Sequence, residues 1–219
     1  MEKDYNKKYE QILQLAVNEP NDRAGREWMM KPWATETFAG ATNAHIMILI
    51  DRHLIKQEYP KPEADIIAVI PTSRNIVLDV DNLKVIKALA EVPLDFRKEE
   101  CDECEGEGEV EWTYGGNNGL FEKYFDCPEC SGEGTTMSSK KIMDPDYVFK
   151  IGMALFSCMY VKILSDIASR LNTDSIMLIS QDSENKGSLF QIGPVQILVM
   201  PMMQRPEDED QLTIIFNHS

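Results

Sequence analysis

The sequence lacks long apolar runs and an apolar leader. No stretch of 18 consecutive apolar residues occurs in the 219-residue chain, so we predict no transmembrane helix and no membrane partner. The first residues, Met1–Lys8, are polar and contain no apolar signal segment. We therefore expect a cytoplasmic protein.

Basic side chains are scarce. The chain has 22 lysines and arginines against 37 aspartates and glutamates, which gives a formal net charge of −15. This charge argues against a protein whose whole surface adheres to nucleic acid, although it leaves room for a local basic face within an acidic exterior. The acids are dense in 99–111 and 206–210, which we interpret as solvated loops.

The usual signatures of a catalytic site are missing. The chain has only three histidines, and it contains no nucleophile elbow, zinc-protease motif or phosphate-binding glycine loop. We therefore predict that the protein is not an enzyme. Catalysis by loop carboxylates stays open as the weakest of three functional alternatives.

Four of the five cysteines form two matched pairs. The units read CDECEGEG from residue 101 and CPECSGEG from residue 127, with 22 residues between Cys104 and Cys127. Two residues between cysteines turn both sulfurs toward one point, and two such turns supply the four thiolates that a structural zinc ion takes. We predict one zinc ion held by Cys101, Cys104, Cys127 and Cys130.

Two disulfides are the alternative reading of these four cysteines. They would need an oxidising compartment, to which nothing else in the chain points. A zinc ion with four cysteine ligands has no open position for water, so its predicted role is structural rather than catalytic. The fifth cysteine, Cys158, lies in the apolar run 153–161 and is predicted to be a small buried core residue.

Each cysteine unit has the pattern C-x-x-C-x-G-x-G, which resembles the cysteine-rich zinc domain of the DnaJ co-chaperones. That domain carries the pattern four times and binds two zinc ions, whereas this chain carries it twice, enough for one ion. The His-Pro-Asp tripeptide of a J-domain does not occur in the chain. The resemblance implies a metal site and a local hairpin fold, without co-chaperone activity.

The apolar periodicity predicts an α+β fold in which helices pack on antiparallel strands. Helices are predicted at 4–18, after an N-cap at Asp81, and at 159–171. The run Ile46–Ile50 is apolar enough to be buried on both sides. The predicted strands are two short strands or one bent strand within 37–50, then 66–70, 76–80, 147–156, 175–180, 189–192, 195–200 and 211–216.

The succession of predicted helices and strands stops at the cysteine units and resumes after them. We therefore predict three segments: 1–98 as the first part of an α+β domain, 99–136 as an inserted zinc-binding segment, and 137–219 as the second part of the domain.

The segments 199–202 and 41–45 resemble parts of the DNA polymerase III β sliding clamp. The first reads Val-Met-Pro-Met, and the final strand of the last clamp domain closes on a Met-Pro-Met stretch. The second reads Ala-Thr-Asn-Ala-His and is similar to the clamp's Ala-Thr-Asp-Gly-His, with Asn43 in place of the acid and Ala44 in place of the glycine. The resemblance implies a DNA-clamp-like fold.

It also implies an assembly around DNA. A bacterial clamp protomer has three repeats, and outside the cysteine segment this chain has material for one enlarged repeat. A ring would therefore need more than the usual two subunits, which makes the expected state a homo-oligomer. In clamps, cations on the channel helices touch phosphates without reading bases. The corresponding DNA-facing candidates are Lys7, Lys8, Lys84, Lys87, Lys162 and Arg170.

Two main functions follow. The first is a non-enzymatic, sliding-clamp-like processivity or docking protein with a structural zinc site, which holds DNA within a ring. The second is a zinc-stabilised adaptor that binds proteins through its cysteine knuckles and has no DNA activity. Ring formation in solution separates the two.

Overall fold

The computed structural model describes residues 2–17, 27–62, 66–116, 119–144 and 146–203. The chain divides into two compact units, Met1–Val92 with Pro145–Ser219 and Pro93–Asp144. Within the described ranges, no helix has the length and apolar character needed to cross a membrane.

The described residues form three α-helices and thirteen strands. In chain order they are α1 (Glu2–Leu13), β1 (Trp33–Ala34), β2 (Phe38–Thr42), β3 (Ile46–Asp51), β4 (Leu78–Asp81), α2 (Asn82–Ala90), β5 (Leu94–Glu100), β6 (Glu109–Gly116), β7 (Gly119–Asp126), β8 (Thr135–Met143), β9 (Val148–Ile151), β10 (Ala154–Ser157), α3 (Cys158–Leu171), β11 (Ser175–Ser180), β12 (Ser188–Ile192) and β13 (Val195–Val199).

The larger unit is built on one seven-stranded sheet. Its strand order is β1-β2-β3-β13-β12-β11-β4, and all neighbours are antiparallel. The last strand of the described residues, β13, therefore lies against the early strand β3, with Ile197 opposite Ile48. The hairpin of β9 and β10 forms a separate two-stranded sheet. The prediction of an α+β fold with helices on antiparallel strands is confirmed.

The centre of the large sheet is apolar on both faces. Every residue of Ile46–Ile50 is buried, which confirms the prediction for this run. On one face Met47 lies opposite Leu198, and Leu198 lies opposite Leu189 in the next strand. These three side chains share a buried cluster with Trp33. Residues of alternate position point to the other face, so both faces of the sheet contribute to the core.

The three helices pack around the sheet and one another. α1 contacts β3, and α3 contacts β9, β10, β11 and β12. α2 packs on α3, where the side-chain amide of Asn82 donates a hydrogen bond to Ser169 Oγ at 3.3 Å. The predicted N-cap of α2 is confirmed, because Asp81 Oδ1 accepts a hydrogen bond from the Leu83 N–H at 2.8 Å.

Two strand predictions are wrong. Residues Ile66–Val69 form a 3₁₀ helix, in which Ile66 is buried and Val69 is exposed. Residues 147–156 form a hairpin rather than one strand, because Gly152 takes a positive φ of 63° and turns the chain between β9 and β10. The predicted first helix, 4–18, is too long, because α1 ends at Leu13 and a 3₁₀ turn at Gln14–Ala16 leads to an extended Val17. The predicted strand at 211–216 lies outside the described residues.

The smaller unit consists of two antiparallel strand pairs. β5 pairs with β8 and β6 pairs with β7, so the β6–β7 hairpin lies within the connection between β5 and β8. The two cysteine units occupy the turns between these pairs, at 101–108 and 127–134. Their sulfurs form the buried cluster of this unit, against which Val110 packs.

Leu164 provides a test of how α3 packs. Its side chain is 1% exposed, so Leu164→Ala should remove buried methyl groups and leave a cavity, at a cost of about 2–5 kcal/mol in the free energy of unfolding. Met159→Ala on the same helix is the control, because the Met159 side chain is exposed and its loss should cost less than about 1 kcal/mol. Urea denaturation followed by circular dichroism measures both, and equal stabilities would contradict this packing.

Candidate functional site

The four paired cysteines form one compact cluster. All are buried, and the four Sγ atoms lie within 4.8 Å of one another. The Sγ atoms of Cys101 and Cys127 are 3.7 Å apart, and those of Cys104 and Cys130 are also 3.7 Å apart. A zinc ion bound tetrahedrally at about 2.3 Å from each sulfur needs sulfur–sulfur distances of about 3.8 Å. The cluster therefore fits a metal of that size.

Reciprocal backbone hydrogen bonds join the two cysteine units. The Cys101 N–H donates to the Gly134 carbonyl at 2.9 Å, and the Cys127 N–H donates to the Gly108 carbonyl at 2.7 Å. Within each unit, the N–H of the last glycine donates to the sulfur of the second cysteine, at 3.2 Å in the first unit and 3.1 Å in the second. Hydrogen bonds to sulfur stabilise a thiolate, so the backbone is arranged for metal ligands.

Gly108 and Gly134 are required by the close approach of the units. Both have positive φ angles, of 80° and 71°. A Cβ atom on Gly108 would lie 2.5 Å from the Gly132 carbonyl oxygen, and one on Gly134 would lie 2.4 Å from the Gly106 carbonyl oxygen. No side chain fits at either position without separating the units.

Burial opposes ionisation of two thiols of the cluster. Burial raises the pKa of Cys127 to about 11 and also raises the pKa of Cys104, whereas at Cys130 the effect of burial is exceeded by hydrogen bonds, first among them that from the Gly134 N–H, so the pKa is lowered. The thiolate rather than the thiol is the metal ligand, so a dication at the centre would provide the charge that lets these groups deprotonate. The fifth cysteine, Cys158, is buried at the start of α3, apart from this unit.

The DNA-facing candidates lie on the three helices of the larger unit. On α2, Lys84 and Lys87 are exposed, and the helix Asn82–Ala90 contains no acidic residue. On α1, Lys7 is exposed and Lys8 is partly buried. The candidates of α1 and α2 thus have side chains that reach solvent.

The two candidates of α3 have partners within the protein. Lys162 Nζ lies 2.5 Å from Asp166 Oδ2, so a neighbouring acid offsets its charge. Arg170 Nη1 donates a hydrogen bond to Gln11 Oε1 at 3.4 Å, which links α3 to α1. Sequence periodicity did not include Asp166, although its spacing of four residues from Lys162 is the spacing of a helical ion pair.

The segments 41–45 and 199–202 meet in the fold. The Met200 N–H donates a hydrogen bond to the His45 carbonyl at 2.8 Å. The turn before β3 is held by side chains, because Asn43 Oδ1 accepts hydrogen bonds from the N–H groups of His45 and Ile46 at 3.1 and 3.0 Å. Ala44, at the position where the clamp segment has glycine, takes a positive φ of 73°.

These two segments border a cavity of about 820 Å³. Thr42, His45 and Met200 belong to its lining, together with Val69 and Leu198 from neighbouring elements. The lining is mostly apolar, and its size lies in the range of pockets that bind small molecules or a few side chains of a peptide. Sequence reasoning found the two segments but not the cavity.

Hydrogen bonds hold one polar wall of the cavity. Asp182, a lining residue, accepts a hydrogen bond from Asn75 Nδ2 at 2.8 Å through its Oδ1 atom. The Gln181 N–H donates to Asn75 Oδ1 at 3.0 Å. Lys186 adds a cation to the lining. Hydrogen bonds within the protein therefore hold this polar wall in place.

The β6–β7 hairpin has an exposed aromatic face, which the sequence analysis missed. Trp112 and Tyr114 are 59% and 60% exposed, and Trp112 packs edge-on against Phe125 with ring centroids 6.1 Å apart. Lys123 Nζ lies 4.8 Å from the centre of the Phe125 ring. The alternation of Val110, Trp112 and Tyr114 is the period-two signal that predicts this face.

Comparisons with known proteins find similarity in structure alone. No protein-family model matches the chain, and no curated protein matches it. The DNA polymerase sliding clamp of Bacillus subtilis has a TM-score of 0.49 at 11% identity, over 92% of this chain and 63% of the clamp. The clamp of Caulobacter crescentus has a TM-score of 0.46 at 12% identity, over 90% of this chain and 64% of the clamp.

A DNA polymerase III subunit beta from Bartonella birtlesii, solved with bound griselimycin, gives a TM-score of 0.45 at 13% identity, over 91% of this chain and 64% of that protein. The chain thus spans slightly less than two thirds of the length of these three proteins.

Gly108→Ala tests the metal centre. The added Cβ would meet the Gly132 carbonyl, so the units should separate and zinc content, measured by plasma mass spectrometry, should fall from about one ion per chain to less than half that value. Gly115→Ala is the matched control, because a Cβ there has no atom within 4 Å and Gly115 has no positive φ. Full zinc content in Gly108→Ala, or none in the freshly purified and reduced parent protein, would contradict the site.

Proposed function

We propose that the protein is a non-enzymatic, sliding-clamp-like factor that docks other proteins at its apolar cavity, associates with DNA as a homo-oligomeric ring and carries one structural zinc ion. The observation that carries this proposal is the meeting of 41–45 and 199–202. These segments resemble two separate parts of the clamp sequence, and in this fold a hydrogen bond from Met200 to His45 brings them together at one cavity.

The cavity supports docking of an extended peptide with apolar side chains. Its volume of about 820 Å³ accommodates several side chains, and its lining is mostly apolar with a few polar groups at one wall. The apolar groups would bind the side chains, and the polar groups would orient the peptide. Val69 forms part of the lining and is 60% exposed, so it is accessible to such a partner.

The DNA part of the proposal is supported by the cations on the helices. Lys84 and Lys87 give α2 two positive charges that no acid on that helix offsets. Contacts from such residues to phosphates would be independent of base sequence. The net charge of −15 disfavours adhesion to DNA, so we propose that a closed ring holds the DNA by topology and that the helical cations contribute locally.

The proposed zinc ion would have a role in folding rather than in catalysis. Four cysteine ligands fill the coordination shell of the ion, so no position is left for a water molecule or a substrate. The ion would hold the two cysteine units together in a unit whose sulfurs form its main buried cluster.

A protein-binding adaptor without DNA activity is the second candidate. The observation that favours it is the aromatic face of the β6–β7 hairpin, where Trp112 and Tyr114 are more than half exposed. Exposed aromatic side chains commonly anchor protein interfaces. In this alternative the zinc ion would support the hairpin as the contact surface.

Charge removal on the helices tests the DNA function. The variant Lys84→Gln, Lys87→Gln, Lys162→Gln, Arg170→Gln should reduce retention on nicked circular DNA several-fold in 50 mM salt, because counterion release at these positions is lost. Cutting the circle should release the parent protein, since topological retention needs a closed path. Pull-down of assembled protein at several salt concentrations measures both effects, and light scattering gives the number of subunits.

A second quadruple variant provides the control for net charge. Lys31, Lys56, Lys61 and Arg74 are exposed, lie outside the three α-helices, and their replacement by Gln removes the same total charge. This variant should keep DNA retention. Equal losses in both variants would contradict a role for the helical cations, and a monomer with equal retention on circular and linear DNA would favour the adaptor.

Docking at the cavity has a separate test. Peptides selected from a random displayed library on the parent protein should be rich in apolar residues and should bind Val69→Asp at least about tenfold more weakly, because a carboxylate in the apolar lining is costly to desolvate. Val77→Asp is the matched control, since Val77 is 72% exposed and does not line the cavity. A selection that yields no peptide sensitive to Val69→Asp would contradict docking there.

A further inference from the structure

The chain runs beside the cavity just before its last 16 residues, 204–219. Met200 lines the cavity, and its N–H is bonded to His45. Two residues later the Met202 N–H donates to the Leu155 carbonyl at 2.8 Å, which ties the chain to β10. Residues 204–219 therefore start within a few residues of the cavity wall.

The sequence of 204–219 has two parts of opposite character. Residues 207–210 read Glu-Asp-Glu-Asp, and residues 212–216 read Leu-Thr-Ile-Ile-Phe. The second part is apolar enough to bind an apolar cavity, whereas the acidic part favours water. The seven residues 204–210 span at most about 25 Å when extended, so they allow 212–216 to return to the cavity of the same chain.

We propose that residues 212–216 bind in the cavity of their own chain and compete there with partner peptides. This inference rests on the docking part of the proposed function and does not depend on DNA. The apolar side chains of Leu212, Ile214 and Phe216 would take the places of a partner's side chains. The acidic spacer would stay in water, near the cation that Lys186 contributes to the lining.

Competition of this kind is strong even when the segment binds weakly. A short linker holds the segment attached to it at an effective concentration in the millimolar range. A partner then binds only those chains whose cavity is open. Its apparent affinity is therefore the intrinsic affinity multiplied by the fraction of open chains. Partners with several contacts would displace the segment, and weak partners would be excluded.

The experiment uses the full chain with the substitutions Leu212→Asp and Phe216→Asp, the tail variant. The probe is a fluorescent peptide with the sequence of 205–219, and its binding is measured by anisotropy. The tail variant should bind the probe roughly tenfold more tightly than the parent protein, because its cavity is no longer occupied. A control variant with Gln204→Asp and Ser219→Asp adds the same charge outside 212–216 and should behave like the parent.

A third substitution locates the binding. Val69→Asp in the tail variant should abolish binding of the probe, whereas Val77→Asp should leave it unchanged. The ratio of affinities between parent and tail variant should be the same over a hundredfold range of protein concentration, because binding within one chain does not depend on concentration.

Three results would overturn the inference. These are equal probe affinity in parent and tail variant, no probe binding by the tail variant, and a ratio that vanishes on dilution, which would assign the segment to a second copy of the chain. Peptides selected in the docking test separate the two proposals. If they bind the tail variant while the probe does not, docking stands and the inference fails; if neither binds, both fail.

Discussion

Pairing between β3 and β13 is the interaction on which the larger unit depends. Five residue pairs, from Val195 opposite Ile50 to Val199 opposite Ile46, join an early segment of the chain to a late one. The pairing makes one sheet of seven strands, in which α1 contacts β3 and α3 contacts β12 and β11 on the other side of β13. It also brings the chain after β13 to the turn before β3, which forms one side of the cavity.

The smaller unit is organised by a different kind of force. Its strands are paired, but several of their apolar side chains are exposed, including Leu94, Met137 and Leu120. Two-stranded sheets of this kind are marginally stable in water without further support. The buried sulfurs supply that support if they share a metal ion, whereas the larger unit is held by ordinary apolar packing.

Sequence reasoning succeeded where a pattern has one physical meaning. The uninterrupted apolar run Ile46–Ile50 has no polar residue to face water, which predicts burial on both faces, and the spacing of the Cys-x-x-Cys units predicts their geometry. It failed where a short apolar segment is compatible with more than one secondary structure. Ile66–Val69 forms a 3₁₀ turn in which Ile66 is buried while Ala68 and Val69 are exposed. Leu83 and Ile86 have helical spacing yet are exposed, while Val85 and Ala88 are the buried apolar residues of α2.

The candidate site was likewise predictable only in part. The four cysteines were named from their spacing, and the structure brings their sulfurs together. The cavity could not be predicted, because its lining comes from segments that are distant in sequence and approach only through β3 and β13. The resemblance identified 41–45 and 199–202 separately. Nothing in the sequence of either segment predicts the hydrogen bond from the Met200 N–H to the His45 carbonyl.

The reciprocal bonds between the cysteine units affect how an ion would leave. Because Cys101 is held by the second unit and Cys127 by the first, neither half can swing away while the other stays in place. At Gly108 and Gly134 the two units approach so closely that no side chain would fit between them. An incoming chelator would therefore have to wait for both halves to separate together, so exchange of the ion with the surrounding solution should be slow and all-or-none, limited by protein opening rather than by chelator concentration.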